Sequence, residues 1–374
     1  MKPKQPLFHV VKRDHVSRSQ LVLAYVLAVV IAVAVGAVLL TVMGVPFGAF
    51  YQKMFTLGLL DNKFAYKNVE NVIKLFGRLL ITSLALALAF RMRFWNIGGE
   101  GQFTLGALCA GAVAMQLGDS LPRAAVLLLM ALAGMAGGGL YGVIAAVLKV
   151  RYGTNETLLT LMFNYMALYL LAFFRETRGA WNFFLDPQSP RPRFQTFPAN
   201  AQMLTIPIGP FSLNVSLLVA LALCAGIFVY LKYTKQGYEI AVVGDSPNTA
   251  KYAGMKVGAI VIRTVFLSAA LIGLAGAFCV SSAGVLSTSL TNDVGWTGII
   301  VAWLAKLNVV GILVASALIT VLQYGAQAAS VTYSSVDANF ADLLQGMILF
   351  AVLAADFFTR FKLARSAHSG EVAK

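Results

Sequence analysis

The sequence predicts an all-α polytopic membrane protein of about ten transmembrane segments, with interrupted short helices and an internal repeat. Three observations carry that prediction. Of the 374 residues, 59% are hydrophobic and 12% charged, whereas a soluble domain averages about 45–50% apolar and about 25% charged residues. The apolar residues are gathered into runs, several of them short and interrupted by Gly and Asn. The net charge of +14, from 29 Lys and Arg against 15 Asp and Glu, sits mainly between alternate runs, as the positive-inside rule requires. A soluble enzyme, a disordered regulator and a nucleic-acid binder are excluded on these grounds.

Residues 1–19 are polar and basic (Lys2, Lys4, Lys12, Arg13, Arg18) and read as a cytoplasmic tail. The apolar run from Leu21 to Met43 is long enough to span, unlike a signal-peptide core of about 7–15 residues, so it reads as an uncleaved first helix. The mixed stretch 44–75 carries Lys53, Asp61, Lys63, Lys67, Glu70 and Lys74 and is expected to lie along the outer interface as an amphipathic segment. Further runs follow at 76–91, 103–117, 124–149, 157–174, 212–231, 262–280, 296–305, 309–326 and 339–358. The membrane domain therefore covers 20–358, followed by a cytoplasmic tail at 359–374. The runs 76–91, 103–117 and 296–305 fall short of the ~20 residues a spanning helix needs. Broken backbone is tolerated at membrane depth only inside protein or along a cavity, so such segments point to a translocation pathway.

Counting cations along these spans, with the N-terminus inside, places 19 of the 29 Lys and Arg in cytoplasmic segments and ten outside. The bias has the required sign, although the outer loop 175–211 keeps Arg175, Arg178, Arg191 and Arg193. Both tails and the loop 232–262 fall in the cytoplasm. Cys109, Cys224 and Cys279 lie in apolar runs and read as small packing residues rather than a disulfide framework. His9, His15 and His368 lie in the tails, so no metal or nucleophilic set can be assembled within the membrane.

The segments 71–174 and 260–358 follow one plan, a helix, an interrupted polar stretch and further helices. The interruptions are Asn96-Ile-Gly-Gly-Glu-Gly-Gln102 and Ser287-Thr-Ser-Leu-Thr-Asn-Asp293. In the loop 232–262, Gly244-Asp-Ser-Pro-Asn248 offers helix-start chemistry, with Asp245 or Ser246 as N-cap and Pro247 near N1, and Gly254 ends the short helix. Such an element is either an ordinary connector or a docking element for a soluble partner.

This loop carries a resemblance. Gly237-Tyr238-Glu239, Gly244, Asn248, Ala250, Tyr252 and Gly254 resemble the coupling loop of permease subunits of ATP-driven (ABC) importers of the ribose and branched-chain amino acid permease superfamily. Asn96 to Gln102 with Gly106-Ala107, Asn155-Glu-Thr with Leu161 to Tyr165, and Trp296 to Asn308 resemble its nucleoside and simple-sugar branch. Ala241 stands where an Arg is usual and Val309 where a Pro often follows Asn. The resemblance implies a subunit that does no chemistry. It binds no cofactor, with ATP and Mg held on a partner ABC ATPase subunit. A second permease subunit, identical or different, and an extracytoplasmic substrate-binding protein or lipoprotein are implied too, all at the bacterial inner membrane. In agreement, no GxxxxGK[ST] loop occurs. The solute implied is a nucleoside or a related small polar solute such as a simple sugar, and the coupling-loop residues are the eight from Gly237 to Gly254 named above.

The candidate pathway residues are Phe94, Trp95, Asn96, Glu100, Gln102, Phe163 and Asn164. A carboxylate at a helix centre in the membrane costs about 2.5–3.5 kcal/mol on insertion scales, so Glu100 needs a partner or a cavity. It is placed near the cytoplasmic side, either capping the helix that begins near Gln102 or gating the pathway. Asn164, mid-helix, either bonds a neighbouring helix or reads substrate hydroxyls and base edges. Phe94, Trp95 and Phe163 suit stacking on a flat heterocycle, or simple packing. The small-residue runs at 133–139 and 273–276 read as close-packing faces. The alternative to an importer subunit is a stand-alone secondary transporter or channel, disfavoured by the scarcity of intramembrane carboxylates beyond Glu100 and Asp293.

Overall fold

The computed structural model describes residues 8–12, 17–57, 59, 66–333, 335–337 and 339–365. Lys2, Lys4, Arg13, His15, Asp61, Lys63, His368 and Lys374, used above for the tails and the 44–75 stretch, lie outside the described residues. Chain order is β1 (Phe8–Lys12), α1 (Arg18–Val42), α2 (Phe47–Phe55), α3 (Tyr66–Arg91), α4 (Gly99–Leu117), α5 (Arg123–Tyr152) and α6 (Glu156–Glu176). Then come β2 (Thr205–Ile208), β3 (Phe211–Asn214), α7 (Val215–Tyr233), α8 (Lys235–Asp245), α9 (Pro247–Tyr252) and α10 (Val257–Ala283). The chain closes with α11 (Val294–Leu304), α12 (Val309–Ser330), α13 (Phe340–Arg360) and β4 (Phe361–Arg365). Among the described residues, eight helices are long and apolar enough to cross a membrane: α1, α3, α5, α6, α7, α10, α12 and α13. With the 19-residue α4 and the 11-residue α11, every apolar run of the sequence is a helix.

Two expectations change. The run 76–91 is not short, because α3 starts at Tyr66 and takes in Lys67, Glu70 and Lys74. A helix accepts such residues in its first turns, where they reach the interface. The stretch 44–75 is consequently no single interfacial segment; among its described residues, α2 is the one helix that is not part of a spanning helix. The run at 103–117 likewise begins earlier, at Gly99, leaving α11 as the one short membrane helix among the described residues. In element order the halves do follow one plan, α3 to α6 against α10 to α13, each with a break after its first helix.

The chain divides into two units. The first holds residues 1–58 and 322–374. Ser17 starts α1 with a reciprocal capping box to Gln20. Leu40, Phe50, Met54, Phe340 and Leu344 form its core. Tyr25 donates to Asp356 Oδ1 (2.7 Å) and Tyr51 to the Val33 carbonyl (2.8 Å). β1 and β4 pair antiparallel, Phe8 opposite Arg365, so the segments before α1 and after α13 meet. A strand was not expected in either polar tail.

The second unit, residues 59–321, is built around α10, which packs on α5, α4 and α3. Glycines let the backbones touch: a Cβ on Gly138 would lie 2.6 Å from the Ala269 carbonyl, and one on Gly134 2.9 Å from that of Gly273. The small-residue runs are thus the close-packing faces they were read as. All three cysteines are free. At one end of the unit lie the α3 and α5 C-termini, the α6 N-terminus, α8 and the α11–α12 turn, where Arg91 donates to the Leu307 carbonyl (2.8 and 3.1 Å). These are the parts assigned to the cytoplasm from charge.

At the opposite end the segment after α6 is tied down by polar contacts. Asn182 Nδ2 donates to the carbonyls of Phe174 and Thr177, both at 2.7 Å, and Arg178 to that of Pro190 (2.6 Å). Arg193 forks onto Asp186 Oδ2 (2.6 and 2.9 Å), which holds the Asp186 carboxyl below its ordinary value. A depressed carboxyl stabilises the fold above its ordinary pKa and loses that contribution as pH falls through the folded value. The protection factor of the Gln188 amide, whose N–H donates to Asp186 Oδ1, should therefore fall between pH 7 and pH 3 (exchange rate compared with the intrinsic rate at each pH), and fall more than in Asp186→Asn, which has nothing left to protonate.

Candidate functional site

The stretch 92–98 between α3 and α4 is non-helical and runs back beside α11. The Trp95 ring stacks on Trp303 near the C-terminal end of α11 (5.3 Å, 14° between planes). At the other end of α11, a Cβ on Gly99 would lie 3.2 Å from the Gly295 Cα. The chain thus climbs the length of α11 before α4 begins, placing Glu100 beside the start of α11. That start is about 15 Å in from Leu304 at 1.5 Å per residue. Glu100 therefore lies well in from the end that Leu304 occupies: the break re-enters the bundle instead of staying at its end.

Glu100 is buried, and its Oε1 accepts from the backbone N–H groups of Gly295 (2.6 Å) and Trp296 (3.3 Å). Thr291 hydrogen-bonds the same carboxyl through its side chain. The residue does cap a helix, but α11 rather than its own. The N-cap position of α11, Asp293, has φ +56° and makes no side-chain cap bond. Glu100 supplies from across the bundle the acceptor and the negative charge that α11's N-terminus needs.

The amides form a second set of ties. Asn96 and Gln102 exchange two hydrogen bonds, both 3.0 Å, and Asn96 Oδ1 also accepts from Gly98 N–H (3.1 Å). Asn164 of α6 accepts from Gly101 N–H and donates to the Ile97 carbonyl, both at 2.8 Å. Thr160, one turn earlier, accepts from Ile97 N–H (3.1 Å). Phe94, Asn96, Glu100, Gln102 and Asn164 are all buried, and Trp95 is half-exposed. Phe163 is part-buried and packs on Tyr141 at 4.9 Å between rings. The structure brings the seven candidate residues together around one non-helical turn, with the four polar ones bonded to protein atoms that this turn cannot satisfy by itself.

The loop 232–262 is a helix pair. Thr234 caps α8 by accepting from Gly237 N–H (3.1 Å). Gly237 and Gly244 stand where a Cβ would strike the Tyr230 and Arg91 carbonyls respectively, which seats α8 on the ends of α7 and α3. Ser246, not Asp245, caps α9, with Pro247 at its first position. Ala250 is fully buried, and Gly254 has φ +76°. Asn248 and Tyr238 are exposed and Tyr252 is 93% exposed. Glu239 pairs with Arg263 of α10 (2.9 Å) at the edge of a cavity of about 580 Å³ also lined by Lys235, Tyr238 and Lys256. The candidate coupling residues thus divide into a seated set (Gly237, Gly244, Ala250) and a presented set (Tyr238, Asn248, Tyr252).

One residue was missed. Arg78 lies in the middle of α3, 12 residues from its start and 13 from its end. Its signal was a cation inside an apolar run, but starting that run at 76 put Arg78 at its edge.

A broken pair of helices clamped at depth and a capped helix presented at one end define a multi-pass membrane component built for transport. The chain belongs to the family described as the permease component of branched-chain amino acid transport systems, whose model matches residues 68–353. It is 26% identical over 344 residues to the nucleoside ABC transporter permease protein NupB of Lactococcus lactis, covering 90% of this chain and 92% of that one. It is 27% identical over 360 residues to the guanosine ABC transporter permease protein NupP of Bacillus subtilis (95% and 99%). To the glucose ABC transporter permease protein TsgB13 of Haloferax volcanii it is 30% identical over 347 residues (90% and 88%).

Proposed function

We propose that this chain is the transmembrane permease subunit of an ATP-driven importer for a nucleoside or a related small polar solute such as a simple sugar. The observation that carries this reading is the α8–α9 pair: glycines seat it on the ends of α3 and α7, and it projects a 93%-exposed Tyr252 from the end of the unit richest in loop cations. A spanning bundle has no stability to gain from that ring, so it serves a partner. The partner is an ABC ATPase subunit carrying ATP and Mg at the cytoplasmic face of the inner membrane, where both termini lie. A second permease chain and an extracytoplasmic binding protein complete the assembly. The re-entrant stretch at 92–98 borders the pathway, with Trp95 as its half-exposed face and Asn96, Glu100, Gln102 and Asn164 holding it in shape. Phe94 and Phe163 pack behind it.

Affinity purification of the tagged chain from its native membrane, with copurifying proteins identified by mass spectrometry, tests the assembly. A stoichiometric P-loop ATPase is the expected result; a chain recovered alone even after crosslinking overturns it. Tyr252→Ala should cut solute uptake at least tenfold while leaving the amount of chain in the membrane unchanged. Uptake within twofold of the parent would remove α9 from the coupling role.

A further inference from the structure

We propose that Arg78 is the specificity-determining residue of the translocation pathway, and that the solute it selects is a 6-oxopurine nucleoside. The inference rests on the importer reading above and names the solute class within it.

Arg78 is placed where a cation is hard to keep. An ionisable side chain inside a spanning helix faces a partner or a pathway, and among the described residues this one has no carboxylate within ion-pair distance. Its one hydrogen bond among these residues is Nη1 to the Cys279 thiol of α10 at 3.1 Å, with that thiol in turn donating to the Leu290 carbonyl (3.6 Å) in the break before α11. Nε is buried and makes no hydrogen bond. One turn on, Thr82 is fully buried with an equally unpartnered hydroxyl, and its methyl group lies 3.1 Å from where a Cβ on Gly298 of α11 would stand. Of the two carboxylates at the break, Glu100 is already committed to the α11 N-terminus, and Asp293 lies outside ion-pair distance of the guanidinium. The positive charge and most of the five guanidinium donors are therefore left for something that enters beside the break between α10 and α11. A helix break of this kind is where transporters place solute sites.

The chemistry of the fork sets the solute. A guanidinium donates only, in a planar array that matches two adjacent acceptors. Guanine and hypoxanthine present such a pair in O6 and N7, whereas adenine sets an amino donor beside N7. A glutamine, with one donor and one acceptor, matches adenine instead.

The test compares uptake of labelled guanosine and adenosine by cells making the complete transporter, with the parent chain, Arg78→Lys and Arg78→Gln at matched membrane levels. The parent should prefer guanosine. Arg78→Lys, which keeps the charge and loses the fork, should lower the guanosine-to-adenosine ratio about five- to tenfold, at the lower end of what a bidentate contact discriminates. Arg78→Gln should lower it further, toward adenosine. Equal loss of both solutes, as from a merely structural role, overturns the proposal, as does an unchanged ratio. A parent that takes up glucose and neither nucleoside overturns it while leaving the importer reading intact. A parent that takes up none of the three overturns both.

Discussion

Gly273→Leu should abolish accumulation of the folded chain, the largest effect expected of any single substitution. At this point α10 has no side chain on either flank. A Cβ at 273 would run into the Gly134 carbonyl and come within 3.0 Å of the Gly138 Cα, while a Cβ on Gly106 of α4 would in turn overlap Gly273 itself. The obstacles to a side chain at 273 are backbone atoms of α5, so no rotamer change relieves them. Overpacking a core usually costs about 1–3 kcal/mol because side chains and backbone shift; here the backbones of α5 and α10 would have to part, which places the cost above that range. Gly226→Leu on α7, where nothing lies within 4 Å of an added Cβ, is the matched control and should accumulate normally. Detergent-solubilised yield and the thermal midpoint by size-exclusion chromatography read both variants. Similar values for the two would show that the glycine contact is dispensable.

Asn164→Ala should be the next most damaging change. It removes two hydrogen bonds of 2.8 Å and leaves the buried Gly101 N–H and the part-buried Ile97 C=O without their partner. A buried group so orphaned costs about 1–3 kcal/mol, so the pair reaches roughly 2–6 kcal/mol. Side-chain bonds between membrane helices average only about 0.6 kcal/mol, because the separated helices find other partners. That discount does not apply here, because Ile97 is non-helical and Gly101 lies in the first turn of α4, where a backbone N–H has no intrahelical acceptor to fall back on. The expected signature is local: amide exchange should accelerate across 94–101 and remain slow in α10. Unchanged protection at Gly101 would mean that Asn164 is not what holds the re-entrant turn.

Every spanning helix was legible from apolar runs alone, since a bilayer demands one long unbroken stretch per crossing and little else competes with it. The helix start at Ser246-Pro247 and its stop at Gly254 were legible too, as cap chemistry is local. What was not legible came from tertiary pairing. Glu100 was recognised as a capping carboxylate, yet its helix lies almost two hundred residues away, and no spacing along the chain reveals that. The first turns of α3 were lost because Lys67, Glu70 and Lys74 look interfacial until the helix is seen to continue through them. That boundary error hid Arg78. The amides of Asn96, Gln102 and Asn164 could be flagged as needing partners, but whether those were protein or solute required coordinates.

Glu100 also bears on motion. One carboxyl joins the first turn of α4 to the first turn of α11, and these helices open the two halves of the chain's plan after their breaks. Pulling the two helix starts apart would expose the Gly295 and Trp296 N–H groups with no water to receive them. Gly99 and Gly295 meet backbone to backbone at the same point, so there is no soft layer between them to shear. The pair therefore behaves as a rivet. Any motion that carried the start of α4 would carry the start of α11 with it, as one body.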